Sequence, residues 1–168
     1  MSSKQVSDSF YSDRLAMSLI EESDSKFIFK LVNSPGWLKF IGDRNVKSLN
    51  DAKVFIQDVI ASPTKAYWVV RLKESDVAMG IVTYIKRTYL EHYDIGFAFL
   101  PNFKNQGYAY EASSAILLKV LRETRNESIQ AVTMPENEFS IKLLKKLGFT
   151  FEKEIETNKE KMLVYKMN

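Results

Sequence analysis

The amino-acid sequence predicts an α+β domain built on a mixed, mostly antiparallel sheet. Its segments follow the order β, α, α, β, β, β, α, β, α, β, β, so antiparallel strands come first and a βαβ unit follows. The 168 residues are 45% apolar and 27% charged, as expected of one globular domain with a substantial core. We therefore expect a single domain over residues 1–168, with seven strands, about four helices and a flexible N-terminus over residues 1–10.

Hydrophobic periodicity places the elements of the first half. Residues 14–20 alternate between apolar and polar side chains and predict the first strand. Apolar residues at helical spacing predict a helix that ends before residues 34–36 and a second helix behind Ser48, where Ser48 and Asp51 resemble a variant capping box. Between these helices, residues 37–46 are predicted to form an irregular, aromatic-rich connection.

Strands dominate the second half. They are predicted over residues 66–72, 77–86 and 93–100, and Gly80 indicates a bulge in the middle one. A helix to about Arg125, a buried strand over 129–134, a helix over 137–147 ended by Gly148 and a closing hairpin across Asn158 complete the order.

The composition excludes several classes of function. There are no cysteines and His92 is the single histidine, which excludes disulfides, thiolate nucleophiles and metal clusters built on Cys or His. A net charge of +3 without a basic stripe disfavours nucleic-acid binding. No apolar run approaches the ~20 residues of a membrane span, and residues 1–8 lack the apolar part of a signal peptide. We expect a cytoplasmic protein with no metal, nucleic-acid or membrane partner.

A polar turn between a predicted strand and a predicted helix indicates an anion site. Residues 101–107 lie between the strand-like run 94–100 and the helix. The first backbone N–H groups of a helix are unpaired and carry the positive end of its dipole, which favours an anion such as a pyrophosphate. Gly107 and Ala109 permit close approach to the backbone. Taken alone, the turn is equally well interpreted as a simple connection.

Two motifs resemble a known family. Residues 104–109, Lys-Asn-Gln-Gly-Tyr-Ala, resemble the acetyl-coenzyme-A signature Arg/Gln-x-x-Gly-x-Gly/Ala of the GNAT superfamily of N-acetyltransferases. Residues 137–149 resemble its Asn-x-x-Ser/Ala…Lys-x-Gly-Phe segment, with one helix and one strand between the motifs. Residues 101–112 and Asp13-Arg14-Leu15 are also similar to the branch that contains the ribosomal-protein N-terminal (Rim-type) acetyltransferases.

The resemblance implies a GNAT fold with splayed central strands and acetyl-coenzyme A as co-substrate. Backbone groups of the turn would hold the pyrophosphate, the strand before it would pair with the pantetheine arm, and the later helix would close the other side. The implied coenzyme-binding residues are Phe97, Ala98, Phe99, Lys104, Asn105, Gln106, Gly107, Tyr108, Ala109 and Asn137.

Acetyl transfer by direct attack in a ternary complex needs a neutral amine, a proton acceptor and a donor to the departing sulfur. Asp94 is our candidate base, because some relatives carry an acidic residue on this strand; Glu91 and His92 are weaker candidates. Ser140 is the candidate donor. The alternatives are that Asp94 is a solvated edge-strand residue and that Ser140 simply faces the core.

Two positions depart from the family pattern. Asn105 stands where the family often has Gly, although Asn tolerates the left-handed conformation. Leu144 stands where many relatives carry a Tyr that serves as general acid. An N-acetyltransferase acting on a protein N-terminus or a small-molecule amine is the leading hypothesis; transfer of another acyl group and a non-catalytic acyl-coenzyme-A-binding protein are the alternatives. A homodimer is one option for its assembly.

Overall fold

The computed structural model describes residues 9–125 and 128–168, and it contains one mixed sheet in the strand order β1-β2-β3-β4-β5-β6-β8-β7. The strands are β1 Ser9–Tyr11, β2 Leu15–Leu19, β3 Lys65–Leu72, β4 Ala78–Ile85, β5 Asp94–Phe99, β6 Ile129–Thr133, β7 Thr150–Thr157 and β8 Glu160–Met167. The helices are α1 Ser25–Val32, α2 Pro35–Phe40, α3 Leu49–Ala61, α4 Tyr108–Thr124 and α5 Glu138–Lys146. The predicted α+β class and mixed sheet are confirmed.

Two elements were missed, so the predicted counts of seven strands and about four helices are too low. β1 pairs with β2 in antiparallel register (Phe10 opposite Met17), although residues 9 and 10 were assigned to a flexible terminus. Residues 1–8 of that predicted terminus lie outside the described residues. The predicted irregular connection begins as α2, because Pro35 at the first helical position is already set for a helix and Trp37 is buried.

The helices cover both faces of the sheet. In β3, Trp68 and Val70 pack in the core on the α4 side, whereas Tyr67 and Val69 pack in the core on the side of α1, α2 and α3. This follows from the two-residue period of a strand, which sends successive side chains to opposite faces. The long run of buried residues in β3 is therefore a strand covered on both sides.

Strands β1 to β5 form a continuous antiparallel meander apart from the connection that carries α1, α2 and α3. Val70 lies opposite Gly80 and Arg71 opposite Ala78, so the predicted bulge is present, with Met79, directly before Gly80, as its unpaired residue. A Cβ on Gly80 would lie 2.5 Å from Cδ1 of Phe99, so the missing side chain lets β5 cross closely at this point.

The central strands splay. β5 and β6 are parallel neighbours, but their single register pair is Asp94 with Gln130, beside a hydrogen bond from Gln130 N to Tyr93 O at 2.9 Å. Beyond that pair the strands separate and leave Gly96, Phe97 and Ala98 half-buried. The splay implied by the family resemblance is thus present, and it opens the sheet at its centre.

The chain ends in the predicted hairpin. β7 and β8 are joined by Asn158 and Lys159, whose φ values of 51° and 64° are both left-handed, as in the two-residue turns that match the twist of a hairpin. Within residues 9–125 and 128–168, no helix has the length and apolar character needed to cross a membrane.

Candidate active site

A cavity of 430 Å³ lies where β5 and β6 separate. Of the residues predicted for the site, it is lined by Asp94, Phe97, Ala98, Phe99, Lys104, Asn137 and Ser140. The remaining predicted residues do not line it: Asn105, Gln106 and Gly107 form the turn that leads into α4, and Tyr108 and Ala109 are its first helical residues. The weaker candidates Glu91 and His92 also lie away from the cavity wall.

The turn before α4 has an unusual backbone. Gly107 is the N-cap residue with a φ of 81°, and no side chain caps the helix. The first amides of α4 therefore have no capping side chain to accept from them, which is the condition for binding an anion there. Asn105 takes a φ of 61°, so it adopts the left-handed conformation that Asn tolerates in place of Gly.

Lys104 connects the turn to the cavity mouth. Its Nζ lies 5.3 Å from the ring centroid of Phe139 in α5, and 3.4 Å from the position that a Cβ on Gly36 would take in α2. A cation is thereby held between the turn, α5 and α2. Its position between the turn and the cavity suits a ligand with phosphate at one end and an arm that reaches into the cavity.

The start of α5 forms one wall of the cavity. Asn137 is the N-cap, and its side-chain oxygen accepts a hydrogen bond from Ser140 N at 3.2 Å. Ser140 is buried and lines the cavity one turn later. Leu144, on the next turn, also lines it and is buried. Asn137 therefore serves as a helix cap and as a cavity residue at once.

Asp94 is a buried carboxyl in the middle of the sheet. Its side chain is 3% exposed, and Oδ2 accepts from Nε of Arg87 at 2.8 Å. Burial raises the pKa of Asp94 to about 6, and the charge and hydrogen bond of Arg87 offset part of that rise. Oδ1 makes no well-aligned hydrogen bond to another described residue, although the Val132 amide lies near enough to favour the charged form. The alternative of a solvated edge-strand residue is wrong.

Sequence reasoning missed the partner of this carboxyl. Arg87 follows the end of β4 and lines the same cavity. A basic residue seven positions before Asp94, across the short connection between adjacent strands, was the available signal. Thr133 was also missed: it lines the cavity at the end of β6, and its buried hydroxyl has no hydrogen-bond partner among the described residues. An ordinary strand threonine gives no sequence signal of that kind.

The far end of the cavity has a different character. It is walled by α2, α3, the chain between them and β3, through a group of aromatic and charged side chains: Trp37, Phe40, Arg44, Phe55, Asp58 and Tyr67. Arg44, Arg87 and Asp94 all influence the Tyr67 hydroxyl, whose pKa is raised mainly by burial. The cavity thus extends from the region between the central strands to a region lined by mixed polar and aromatic side chains.

Comparison with known proteins defines the class. A sequence model of the acetyltransferase (GNAT) domain matches residues 14–150. The uncharacterized N-acetyltransferase YnaD of Bacillus subtilis (strain 168) is 30% identical over 139 residues, which cover 83% of this chain and 81% of that protein. The chain therefore belongs to the GNAT family and is an acetyltransferase.

Solved structures share the fold. The ribosomal-protein-S5-alanine acetyltransferase from Vibrio fischeri superposes with a TM-score of 0.81 at 20% identity, over 96% of each chain. RimL, a ribosomal L7/L12 alpha-N-protein acetyltransferase solved in complex with coenzyme A, gives a TM-score of 0.80 at 16% identity, over 93% of this chain and 94% of the other. At these identities the similarity establishes the fold, and its neighbours include the Rim-type enzymes.

Proposed function

We propose that this chain is one N-acetyltransferase domain over residues 1–168, which transfers the acetyl group of acetyl-coenzyme A to a primary amine by direct attack in a ternary complex. The observation that carries the proposal is the cavity at the splay, because a single space contains the open edge of β5, the start of α5 and the buried Asp94. We further propose a cytoplasmic location and a reaction without metal.

The donor half of the site is proposed to extend from the turn to β5. The amides of residues 104–109 hold the pyrophosphate, since α4 has no capping side chain and Gly107 opens the backbone. Because β5 hydrogen-bonds with β6 only at its start, the backbone groups of Phe97 and Phe99 on the open edge are available to the pantetheine arm, with Ala98 between them paired to β4. Asn137 is proposed to contact the same arm, because it lines the cavity at the start of α5.

The chemistry is proposed to run between Asp94 and Ser140. The amine nitrogen forms a bond to the thioester carbonyl carbon, the carbon–sulfur bond breaks, and the amine proton passes to Asp94 directly or through water. A pKa of about 6 leaves Asp94 ionised at neutral pH, and therefore able to accept that proton. Ser140 donates a hydrogen bond to the departing sulfur, and solvent supplies its proton.

The acceptor is proposed to enter at the aromatic end of the cavity, between α2 and β3. Aromatic walls with a few charged groups suit the end of a peptide or a small amine. Both kinds of acceptor, a protein N-terminus and a small-molecule amine, belong in the first panel of substrates. A mass measurement in solution tests whether the chain forms a homodimer.

The test is the release of free thiol from acetyl-coenzyme A with a panel of amines and N-terminal peptides. We expect amine-dependent release by the wild-type chain, with acetylated product confirmed by mass. Coenzyme binding without release for any amine would contradict the proposal and favour the non-catalytic acyl-coenzyme-A-binding alternative, to which Leu144, at the position of the family tyrosine, lends weight. Succinyl-coenzyme A in a parallel series tests the choice of acyl group.

A further inference from the structure

Glu111, near the start of α4, accepts hydrogen bonds from the turn that joins β1 to β2. Its Oε1 accepts from Ser12 Oγ at 2.7 Å and from Arg14 N at 2.8 Å, and its Oε2 accepts from Arg14 Nε at 2.7 Å. Partial burial opposes ionisation, but these hydrogen bonds and the Arg14 charge lower the pKa of Glu111 overall. Both carboxylate oxygens are thus engaged, and the side chain is held as an anion.

Arg14 connects this carboxylate to the turn before α4. Its Nη1 donates to the carbonyl oxygen of Gln106 at 3.1 Å, and its guanidinium carbon lies 4.4 Å from the ring centroid of Tyr108. Its Nη2 lies 3.3 Å from the position that a Cβ on Gly107 would take. One side chain therefore contacts Gln106 and Tyr108 and lies beside Gly107 between them.

The direction of the Gln106 carbonyl decides the direction of an amide in the turn. In a planar trans peptide the carbonyl and the following N–H point in opposite directions. Because Arg14 holds the Gln106 oxygen on its own side, the N–H of Gly107 is fixed toward the other side. A left-handed glycine has little intrinsic preference to keep that orientation, so an external hold is needed.

Charge balance gives the pair a second effect. Glu111 lies in the first turn of α4, where an uncompensated carboxylate would repel a bound anion. Arg14 places a guanidinium against both the carboxylate and the turn, so the local field remains favourable to negative charge. The same contacts that orient the amide thus remove the repulsion.

We propose that Arg14 and Glu111 form a positioning pair that sets the backbone of the turn for the pyrophosphate of the coenzyme. The inference rests on the proposed function, since it assigns the turn to the pyrophosphate. A purely structural tether between β1 and α4 would affect folding, whereas a positioning pair changes recognition of the part of the donor that contains the pyrophosphate.

The test compares two donors, acetyl-coenzyme A and acetyl-pantetheine, which lacks the pyrophosphate and the nucleotide. For Arg14→Ala we expect the KM for acetyl-coenzyme A to rise about tenfold while kcat changes little, as for loss of one charge-assisted contact. The KM for acetyl-pantetheine should stay at the wild-type value. Glu111→Ala should behave alike, and the double variant should lose little more, because the two residues act as a unit.

Lys119→Ala is the matched control. It removes an ion pair on the same helix, Lys119 Nζ to Glu123 Oε1 at 2.7 Å, and a cation 4.6 Å from the Phe10 ring of β1. It should therefore weaken the attachment of β1 to α4 while both KM values stay unchanged. Arg14→Lys, which keeps the charge but loses the fork geometry, should give a smaller rise for acetyl-coenzyme A and provides the comparison if Arg14→Ala does not fold.

Equal losses with both donors, or an unchanged KM for acetyl-coenzyme A, would overturn the positioning pair while leaving the acetyltransferase function intact. If the wild-type chain binds coenzyme A but transfers to no amine, the proposed function fails. The Kd values of coenzyme A and pantetheine for the variants then test the pair separately, with the same expected selectivity. A wild-type chain that does not bind coenzyme A at all would overturn both.

Discussion

The free energy of unfolding of the wild-type chain is expected to fall as pH rises because of Asp94. Asp94→Asn is expected to abolish that part of the pH dependence. The pKa of Asp94 is raised from 3.8 to about 6, chiefly by burial. Between these values the unfolded chain has released the proton and the folded chain retains it, so unfolding becomes easier with increasing pH. Below about pH 3 both states are largely protonated and the group contributes little to the pH dependence.

The size of this effect follows from the two pKa values. Their difference is about 2.2, and at about 1.36 kcal/mol for each pKa unit the fully developed loss is about 3 kcal/mol above pH 7. About half of that loss is already present at pH 5, where the unfolded carboxyl is ionised and the folded one is not. This trend is opposite to that of Glu111, whose lowered pKa stabilises the fold as pH rises.

Urea unfolding of the wild type and of Asp94→Asn from pH 4 to 8 measures the effect. The carboxyls that both proteins share contribute equally to the two free energies of unfolding, so they cancel when one value is subtracted from the other. From pH 4 to 8 the free energy of unfolding of the wild type should fall by about 2 kcal/mol relative to that of Asp94→Asn. Arg87→Met is the companion variant. Without the charge of Arg87 the pKa of Asp94 rises further, so the free energy of unfolding of this variant should keep falling to a higher pH than that of the wild type. A difference that is flat, or that favours the wild type as pH rises, would refute the assignment of a raised pKa to Asp94.

Three predictions concern binding and catalysis. The ratio of the wild-type kcat/KM to that of Asp94→Asn should increase as pH rises through about 6 and reach about 100, because only the ionised carboxylate accepts a proton. A ratio near one at every pH would exclude Asp94 as the base. The Kd of coenzyme A should be at least about tenfold higher for Gly107→Glu than for Gly107→Gln, because the Gln variant has the same left-handed strain without the charge. Calorimetry measures both Kd values, and equal values would exclude a pyrophosphate at the turn. Ser140→Ala should lower kcat about tenfold at unchanged Kd for the coenzyme; an unaltered kcat in steady-state assays would assign Ser140 to packing alone.

Local sequence patterns were sufficient for most of the fold. The alternation over residues 14–20, the helical spacing behind Ser48 and the turn at Asn158 all predicted elements that the structure contains. The elements that the sequence did not predict are short. β1 has three residues and α2 has six, which are too few to show a hydrophobic periodicity. β1 is a strand because β2 offers it a partner, which is information that its own sequence does not contain.

The candidate site was predictable only where it lies on continuous motifs. Asn137 and Ser140 belong to one helix start, so their spacing places them together on the cavity wall. The contact of Arg14 with Glu111 joins residues 97 positions apart, and the burial of Asp94 depends on β5 lying fourth from one end of the sheet and inside it. Neither could be predicted without the strand order.

The splay depends on how closely β5 approaches β4. β4 and β5 share six register pairs, whereas β5 and β6 share one. Two glycines permit the closer approach: a Cβ on Gly80 would lie 2.6 Å from the Ala98 carbonyl oxygen, and one on Gly96 would lie 2.7 Å from Thr83 Oγ1. β5 therefore pairs along one edge with β4, while most of its other edge has no strand partner and faces the cavity. The backbone groups on that open edge need a partner once water is excluded, and the amide-bearing arm of the proposed coenzyme would supply it.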